Sequence, residues 1–283
     1  MLPISIISFV VKYKTIFFDD TKKEEIMINL TDKKISINLE DYIFGVVAAE
    51  MPALFHEEAL KDQAVASRSY VLSNKKNNEI NITSTINDQV YLTNDELKVK
   101  WGLDYNKFSK KIKKCIKETN NLVLKREDKI LKAFYFSMSN GYTENSKNVF
   151  KDAQIESKPS KWDNSEIKNF IFEKIMPEEE LKTILNIKER INIQHITKNE
   201  TGRVSAIKIN DNLYSGIDIR QILSLRSTDF TITKKENYYI FTTKGYGHGV
   251  GMSQYGANGM AKEGYTYDEI LKYYYNNVKI TKI

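Results

Sequence analysis

Apolar and polar residues alternate along some stretches of the chain and recur at helical spacing along others. Residues 24–38 alternate like two strands joined at Thr31-Asp32, and short alternating runs return after residue 189. Because these elements mix without a regular βαβ rhythm, the pattern predicts an α+β fold of short strands and helices. The predicted helices are 39–51, 56–76, 105–119, 178–188 and 267–277.

Two parts of the chain depart from this pattern. Residues 151–187 are charged, contain two of the four prolines and are weakly patterned, so we interpret them as a peripheral excursion. Residues 1–22 form an N-terminal segment that is apolar for about ten residues, whereas a helix needs roughly twenty to cross a bilayer. A buried first strand, an interfacial segment and the end of a membrane anchor all fit it. Residues 23–283 are predicted to form one domain.

Composition narrows the class of protein. The chain has 283 residues, of which 41% are hydrophobic and 28% charged, which excludes a disordered protein. The net charge of +6 suits an anionic partner, but the lysines are scattered and no nucleic-acid motif is present, so no nucleic acid is expected. The single cysteine, Cys115, excludes an internal disulfide and any site with several cysteine ligands.

The stretch "GVVAAEMP" (45–52) places an acid on an apolar helix face. Ile43, Val46, Val47 and Glu50 recur at i, i+3, i+4 and i+7. Pro52 ends the helix just beyond Glu50, so the carboxyl group lies at the negative end of the helix dipole. Both that position and partial burial favour the protonated acid. A protonated carboxyl group near neutral pH is what a general acid for glycosidic cleavage needs, although a solvated surface glutamate also fits this stretch.

The segment "KGYGHGVGMSQYGA" (244–257) has glycines at every second position from 245 to 251. We expect an extended segment with one bare face, on which a ligand approaches the backbone. Its other side chains offer aromatic and polar surface suited to sugar rings, although a glycine-rich turn is the alternative. The candidate substrate-binding residues here are Tyr246, His248, Ser253, Gln254 and Tyr255.

Two other regions offer weaker candidates. The polar loop "SMSNGYTEN" (137–145) supplies Ser137, Asn140 and Glu144, and Glu144 is the best candidate for a second catalytic carboxylate. Arg68 falls on the small apolar face of its predicted helix, where it binds either substrate or a structural carboxylate. The stretch "HEEAL" (56–60) lacks the second histidine of a zinc-protease motif, and the glycines of 251–257 lack the Lys-Ser/Thr pair of a phosphate-binding loop.

Taken together, these stretches resemble the SpoIID/LytB family, from about residue 24 to the end of the chain. The first and last matching blocks are the most specific. The matching residues are 39–70, "DQVY" (88–91), 137–145, 201–210, 215–230 and 245–280.

The resemblance implies a peptidoglycan lytic transglycosylase, with residues 23–283 as its catalytic domain. Such enzymes cleave the bond between N-acetylmuramic acid and N-acetylglucosamine without water and leave a 1,6-anhydro end. The family's catalytic glutamate corresponds to Glu50, and the "DQVY" match adds Gln89 and Tyr91 as candidates for substrate binding. No cofactor is implied. A non-catalytic, glycan-binding enhancer of a cell-wall amidase is the alternative, and a hydrolase is a third possibility.

The resemblance also implies partners and a location. Family members in sporulating bacteria act at the septum during engulfment, on the mother-cell side. They prefer glycan strands stripped of peptides by a SpoIIP-type amidase, join a SpoIIM-type membrane protein and carry an N-terminal membrane anchor. Some relatives bind zinc just before the motif that corresponds to residues 89–91, but "NITSTIND" (81–88) has neither Cys nor His, so we expect no metal there.

Overall fold

The computed structural model describes residues 25–150 and 154–283, and the predicted N-terminal segment 1–22 lies outside this part of the chain. The described chain mixes helices with small sheets, which confirms the predicted α+β class. Its buried apolar side chains form two separate clusters. No helix among the described residues is both long and apolar enough to cross a bilayer.

The larger cluster is built around one central helix, α2. This helix packs against four others in the cluster, and its small residues Ala59, Ala64 and Ala66 are fully buried at those contacts. Close helix packing of this kind needs small side chains at the interface. The helices of the larger cluster are α1 (Leu39–Glu50), α2 (Glu57–Ser73), α3 (Asn94–Trp101), α4 (Tyr105–Glu118), α7 (Gln254–Lys262) and α8 (Tyr267–Tyr274).

Three small sheets border these helices. In the first, β1 lies between β2, with which it is antiparallel, and β3, with which it is parallel. In the second, β4 lies between β14 and β5, both antiparallel to it. In the third, β6 and β13 pair in parallel. The strands are β1 (Met27–Leu30), β2 (Ile35–Asn38), β3 (Asn81–Ile82), β4 (Leu122–Arg126), β5 (Lys129–Ile130), β6 (Tyr135–Phe136), β13 (Met252–Ser253) and β14 (Lys279–Lys282).

The smaller cluster lies between two three-stranded antiparallel sheets, in the orders β10-β9-β8 and β11-β12-β7. Residues 151–187, predicted as a peripheral excursion, contribute to both clusters. Ile155 belongs to the larger cluster, whereas strand β7 and helix α5 belong to the smaller one. The elements are β7 (Ile171–Pro177), α5 (Glu178–Leu185), β8 (Ile193–Lys198), β9 (Val204–Ile209), β10 (Asn212–Ser215), α6 (Gly216–Ile222), β11 (Phe230–Lys235) and β12 (Tyr238–Lys244).

The two ends of α1 determine where Glu50 lies. At the start, the side chain of Asn38 accepts a hydrogen bond from the N–H of Glu40, which caps the helix. At the end, Met51 is extended (φ −111°, ψ 143°), as expected for a residue before proline. Glu50 is therefore the last residue of the helix, one residue before the predicted end at residue 51 and within the predicted last turn.

Candidate active site

The Glu50 carboxyl group is held in a half-buried position at the end of α1. Its Oε1 accepts a hydrogen bond of 2.8 Å from the N–H of Val90, in the loop that follows β3. Burial raises the pKa of Glu50, while the Val90 N–H, the Lys100 ammonium and the Tyr135 hydroxyl oppose that rise. The net direction is upward, so a proton is retained to higher pH than on an exposed glutamate.

Lys100, on α3, reaches the same helix end. Its ammonium donates to the carbonyls of Ala48 (3.0 Å) and Ala49 (3.1 Å), where a cation complements the negative end of the helix dipole. Burial lowers the pKa of Lys100, and the nearby Glu50 carboxylate opposes that shift. Lys100 therefore satisfies two carbonyl groups at the end of α1 and also lowers the pKa of Glu50.

The Tyr135 hydroxyl, at the start of β6, lies against the Glu50 carboxylate and lowers its pKa, as a donated hydrogen bond does. Gln89 fixes the direction of this bond. The hydroxyl of Tyr42 donates to Gln89 Oε1 (3.0 Å), and Gln89 Nε2 donates to the Tyr135 oxygen (2.8 Å). Because the Tyr135 oxygen already accepts a hydrogen bond from Gln89, the hydroxyl hydrogen of Tyr135 is free to point at Glu50.

A second buried chain of hydrogen bonds reaches Tyr135 from α7. Gln254 Nε2 donates to Gln63 Oε1 (3.2 Å), and Gln63 Nε2 donates to Ser67 Oγ (2.9 Å). Ser67 in turn is hydrogen bonded to the Tyr135 hydroxyl. Because Ser67 Oγ already accepts from Gln63, its own proton is available for the Tyr135 oxygen. Both chains therefore run towards the Tyr135 oxygen. Gln89 and Gln254, predicted to bind substrate, instead orient Tyr135.

The glycine-rich segment is not a simple extended strand. All four alternating glycines have positive φ, between 75° and 117°, and this is a conformation that other residues rarely adopt. At Gly251 a Cβ atom would lie 1.9 Å from the carbonyl oxygen of Phe134, so this position requires glycine. The alternation therefore reflects backbone geometry and close packing against Phe134, and it gives no regular bare face.

His248 lies between aromatic rings. Its ring centroid is 5.2–6.1 Å from those of Phe134, Phe136 and Phe150. Nδ1 accepts from the N–H of Val250 (3.0 Å), and the ring is also hydrogen bonded to the backbone of Tyr135. Burial, with nearby arginines, lowers the pKa of His248 to about 4, so the ring is neutral at physiological pH. These contacts give His248 a packing role beside β6.

Glu144 is 2% exposed, and four hydrogen bonds occupy its carboxylate. Oε1 accepts from the Asn145 N–H and from Asn148, and Oε2 accepts from Asn199 and Thr201, all at 2.7–2.8 Å. A carboxylate has about four acceptor positions, so none remains for substrate. Glu144 is not among the groups that shift the pKa of Glu50, and its contacts are those of a structural carboxylate rather than of a second catalytic one.

Arg68 has no exposed surface. Its guanidinium donates to both carboxylate oxygens of Glu40 (2.8 and 2.7 Å) and to the carbonyl of Leu122 (2.9 Å). The salt bridge ties α2 to the first turn of α1, the helix that carries Glu50. Of the two predicted roles for Arg68, the structure supports the structural carboxylate pair.

Two more candidates are buried. Ser253 is fully buried, donates to Asp163 (3.0 Å) and caps α7. Tyr91 stacks on Tyr42 (centroids 5.7 Å apart) and lies so close to Gly45 that a Cβ atom there would overlap its ring. The hydroxyl of Ser253 is fully engaged by these contacts, whereas the Tyr91 hydroxyl makes no hydrogen bond in the described structure.

The remaining candidates reach the surface. Ser137 follows β6 directly, and its carbonyl accepts from the N–H of Tyr255, whose ring packs edge-on against Phe55 (4.9 Å). Asn140 is half-buried and donates to Asp229 (2.9 Å), whereas the ring of Tyr246 is 49% exposed. These four remaining candidates, Ser137, Asn140, Tyr246 and Tyr255, are therefore all at least partly exposed.

Tyr135 and Lys100 are not among the residues predicted from the sequence. Tyr135 sits in an aromatic run that looks like core, and Lys100 is one lysine among many. Only their contacts with Glu50 reveal them. Among the described residues, no group of three or more His, Cys, Asp or Glu side chains is arranged to hold a metal ion.

Comparison with known proteins identifies the family. The family model described as "Stage II sporulation protein" matches residues 30–125, and a domain of unknown function matches residues 87–251. The chain is 38% identical to stage II sporulation protein D of Bacillus amyloliquefaciens and 39% identical to that of Bacillus subtilis, over 87% of this chain and 75% of each relative. It therefore belongs to the stage II sporulation protein D family, which confirms the predicted resemblance.

A more distant relative carries a different name. The amidase enhancer of Bacillus subtilis is 28% identical over 84% of this chain, which corresponds to 40% of that protein. The similarity spans most of the described residues but less than half of the relative.

Proposed function

We propose that this protein is a lytic transglycosylase that cleaves the glycan strands of peptidoglycan, with Glu50 as its general acid and base. Membership of the stage II sporulation protein D family supports a role in remodelling the cell wall during sporulation. The observation that carries the proposed chemistry is Glu50 itself: a half-buried carboxyl group with a raised pKa, held by Val90 and faced by Tyr135.

The proposed reaction needs one acid only. Glu50 donates its proton to the glycosidic oxygen as the bond from C1 of N-acetylmuramic acid breaks. The resulting carboxylate then takes the proton of the C6 hydroxyl, whose oxygen forms the new bond to C1. The products are a new N-acetylglucosamine end and a 1,6-anhydro end, and Glu50 is protonated again.

The surroundings of Glu50 favour this reaction over hydrolysis. Glycoside hydrolases commonly use two carboxyl groups on either side of the bond. Among the described residues, no second carboxylate contributes to the pKa shift of Glu50. The Tyr135 proton and the Lys100 charge stabilise the carboxylate that forms after the first proton transfer, and burial favours its reprotonation.

The test is product analysis with peptide-free glycan strands. Wild-type protein is expected to release anhydro-ended fragments, detected by mass spectrometry, and Glu50→Gln to lower this rate at least about a hundredfold. Glu166→Gln is the matched control, because Glu166 is exposed and its side chain makes no hydrogen bond in the described structure. Reducing ends instead of anhydro ends would identify a hydrolase and overturn the proposal.

A second candidate function follows from the amidase-enhancer relative. A non-catalytic glycan-binding protein would stimulate a cell-wall amidase without cleaving glycan itself. In that case Glu50→Gln would stimulate the amidase as well as wild type does, and neither protein would release glycan fragments. One set of reactions with and without amidase separates the two functions.

Partners and location follow from the same proposal. A transglycosylase that prefers peptide-free strands would act after a SpoIIP-type amidase, alongside a SpoIIM-type membrane protein. It would work at the outer face of the membrane, on the mother-cell side of the septum, held by an N-terminal anchor. Co-purification of the full-length protein with these two partners from sporulating cells tests this part of the proposal.

A further inference from the structure

Two arginines beside the glycine-rich segment lack the acidic partner that arginines usually have. The Cζ atom of Arg226 lies 3.8 Å from the ring centroid of Phe172 and 5.3 Å from that of Tyr246, so its planar group sits against two aromatic rings. Arg220 donates a long hydrogen bond (3.4 Å) to the carbonyl of Arg226. Among residues 25–150 and 154–283, no carboxylate pairs with either guanidinium.

The N–H groups of these arginines remain available. The Arg226 side chain makes no hydrogen bond within the described chain, yet none of its nitrogens is both buried and unpaired, so they reach solvent. The same holds for the two terminal nitrogens of Arg220. By contrast, Arg203 nearby is 3% exposed and lies 3.8 Å from Glu144. Arg220 and Arg226 therefore have N–H groups open to solvent, whereas Arg203 is buried beside a carboxylate.

The Arg226 guanidinium is held against the Phe172 ring and near the Tyr246 ring, and its N–H groups are open to solvent. A planar group with free donors can bind a carboxylate through two parallel hydrogen bonds. Lys174 adds positive charge nearby, because its ammonium donates to the carbonyl of Leu223 (2.8 Å), one turn beyond Arg220 on the same stretch of chain. The half-exposed ring of Tyr246 supplies a flat surface beside the charges.

This cluster connects to the candidate active site through the backbone. Tyr246 and Met138 exchange two hydrogen bonds (2.7 and 2.9 Å), and Met138 lies three residues beyond Tyr135. Three extended residues span roughly 10 Å, so a polymer bound at Glu50 extends far enough to reach the arginines.

We propose that Arg226 and Arg220 form a carboxylate-binding subsite for the glycan strand. This inference rests on the proposed function, because it takes peptidoglycan as the polymer. Muramic acid carries a lactyl carboxyl group that is free when the stem peptide has been removed and is an amide when the peptide is attached. The lactyl carboxylate is therefore one source of the ligand group, and the free carboxylates of a stem peptide are the other.

The experiment measures binding, so it does not depend on catalysis. Dissociation constants are measured by calorimetry with Glu50→Gln protein and peptide-free glycan strands, the same strands with their carboxyl groups converted to methylamides, strands that keep their peptides, and a neutral N-acetylglucosamine oligomer. Each ligand is tested with Arg226 intact, with Arg226→Gln and with Arg226→Lys. Arg190→Gln is the matched control, because Arg190 is an exposed arginine next to the smaller cluster.

We expect Arg226→Gln to weaken binding of peptide-free strands about tenfold, with a smaller loss for Arg226→Lys, which keeps the charge but not the planar fork. Methylamide strands should bind about tenfold more weakly to the intact site, and the neutral oligomer should be unaffected by either substitution. A loss confined to peptide-free strands assigns the lactyl group, and a loss confined to peptide-bearing strands assigns the peptide carboxylates.

Two results overturn the proposal and leave these arginines as packing residues. One is that Arg226→Gln weakens binding of neither peptide-free nor peptide-bearing strands, and the other is an equal loss on the neutral oligomer. Both results are independent of whether Glu50→Gln abolishes cleavage, so failure of this subsite is distinguishable from failure of the proposed reaction.

Discussion

The N–H of Val90 donates a 2.8 Å hydrogen bond to Oε1 of Glu50 and so joins the last residue of α1 to the loop after β3. These residues are 40 positions apart, and the bond fixes the carboxyl group at the point where burial raises its pKa. Fixed orientation and a retained proton are the two properties that a general acid requires.

Substitution of Lys100 should change the pH dependence of cleavage. In the proposed reaction the protonated form of Glu50 is the active acid, so we expect kcat/KM to fall as pH rises through the raised pKa of that residue. The Lys100 charge lowers that pKa, so Lys100→Gln should move the falling limb to higher pH. The measurement is kcat/KM between pH 4 and 9 at constant ionic strength.

Lys98→Gln provides the control for this shift. Lys98 lies on the same helix, but its ammonium pairs with Asp95 (2.8 Å) at the surface. This variant removes the same charge and should leave the limb unmoved. A limb that stays in place in Lys100→Gln, or moves equally in both variants, contradicts the assigned role of Lys100.

Replacing Tyr135 with phenylalanine should affect both rate and pH profile. The change removes the proton that faces Glu50 and leaves the donor of Gln89 without its acceptor. We expect a loss of about tenfold to a hundredfold in kcat, since a hydrogen bond to a charged group contributes about 1.5–3 kcal/mol, and a falling limb at higher pH. Carbon-13 NMR titration of the Glu50 carboxyl group reports the pKa change directly.

Tyr70→Phe is the matched control, because Tyr70 is also a largely buried tyrosine beside Phe134 but makes no hydrogen bond to Glu50 or Gln89. If both variants lose the same activity with unchanged pH profiles, Tyr135 serves packing alone.

The sequence was sufficient to locate Glu50 because its signals are local. Helical spacing, a proline stop and an acid in register with the apolar stripe all lie within residues 39–52. The same holds for α2, α4 and α8, whose predicted bounds agree with the structure to within three residues at each end. Local periodicity and capping are enough to define such elements.

Other features depend on contacts distant in sequence. Helix α7 begins within the glycine-rich segment, where glycines favour turns, and forms because it packs against α2. The buried glutamines offer another example: Gln254 looks like a binding residue until its bond to Gln63, 191 positions away, is known. Side-chain networks of this kind have no short-range signature.

Substitution of Arg68 should lower the stability of the protein without changing its affinity for glycan. Arg68→Lys keeps the charge but loses the paired bonds to Glu40 and the bond to Leu122. We expect a loss of about 1–3 kcal/mol in the free energy of unfolding, because Glu40 remains partly solvated. The affinity of the folded protein for glycan should not change. Urea unfolding combined with calorimetry at low temperature measures both quantities, and weaker binding at unchanged stability would return Arg68 to the substrate site.

Asp62 should be a site where neutralisation stabilises the protein. Its side chain is fully buried in α2, and neither carboxylate oxygen has a hydrogen-bond partner among the described residues. Burial, with a smaller effect from the Glu58 charge, raises the pKa of Asp62 well above its usual value. A folded-state pKa above the unfolded one means that wild-type stability is greatest below the unfolded pKa of about 3.9 and falls as pH rises towards the folded value.

Asp62→Asn removes that loss, so it should stabilise the protein at pH 7 by about 1 kcal/mol or more, with the gain disappearing near pH 3.5. Thermal unfolding of both proteins at the two pH values tests this, with the exposed Asp95→Asn as control. Equal stability at pH 7, or a gain that persists at pH 3.5, would show that ionisation of Asp62 is not what limits stability there.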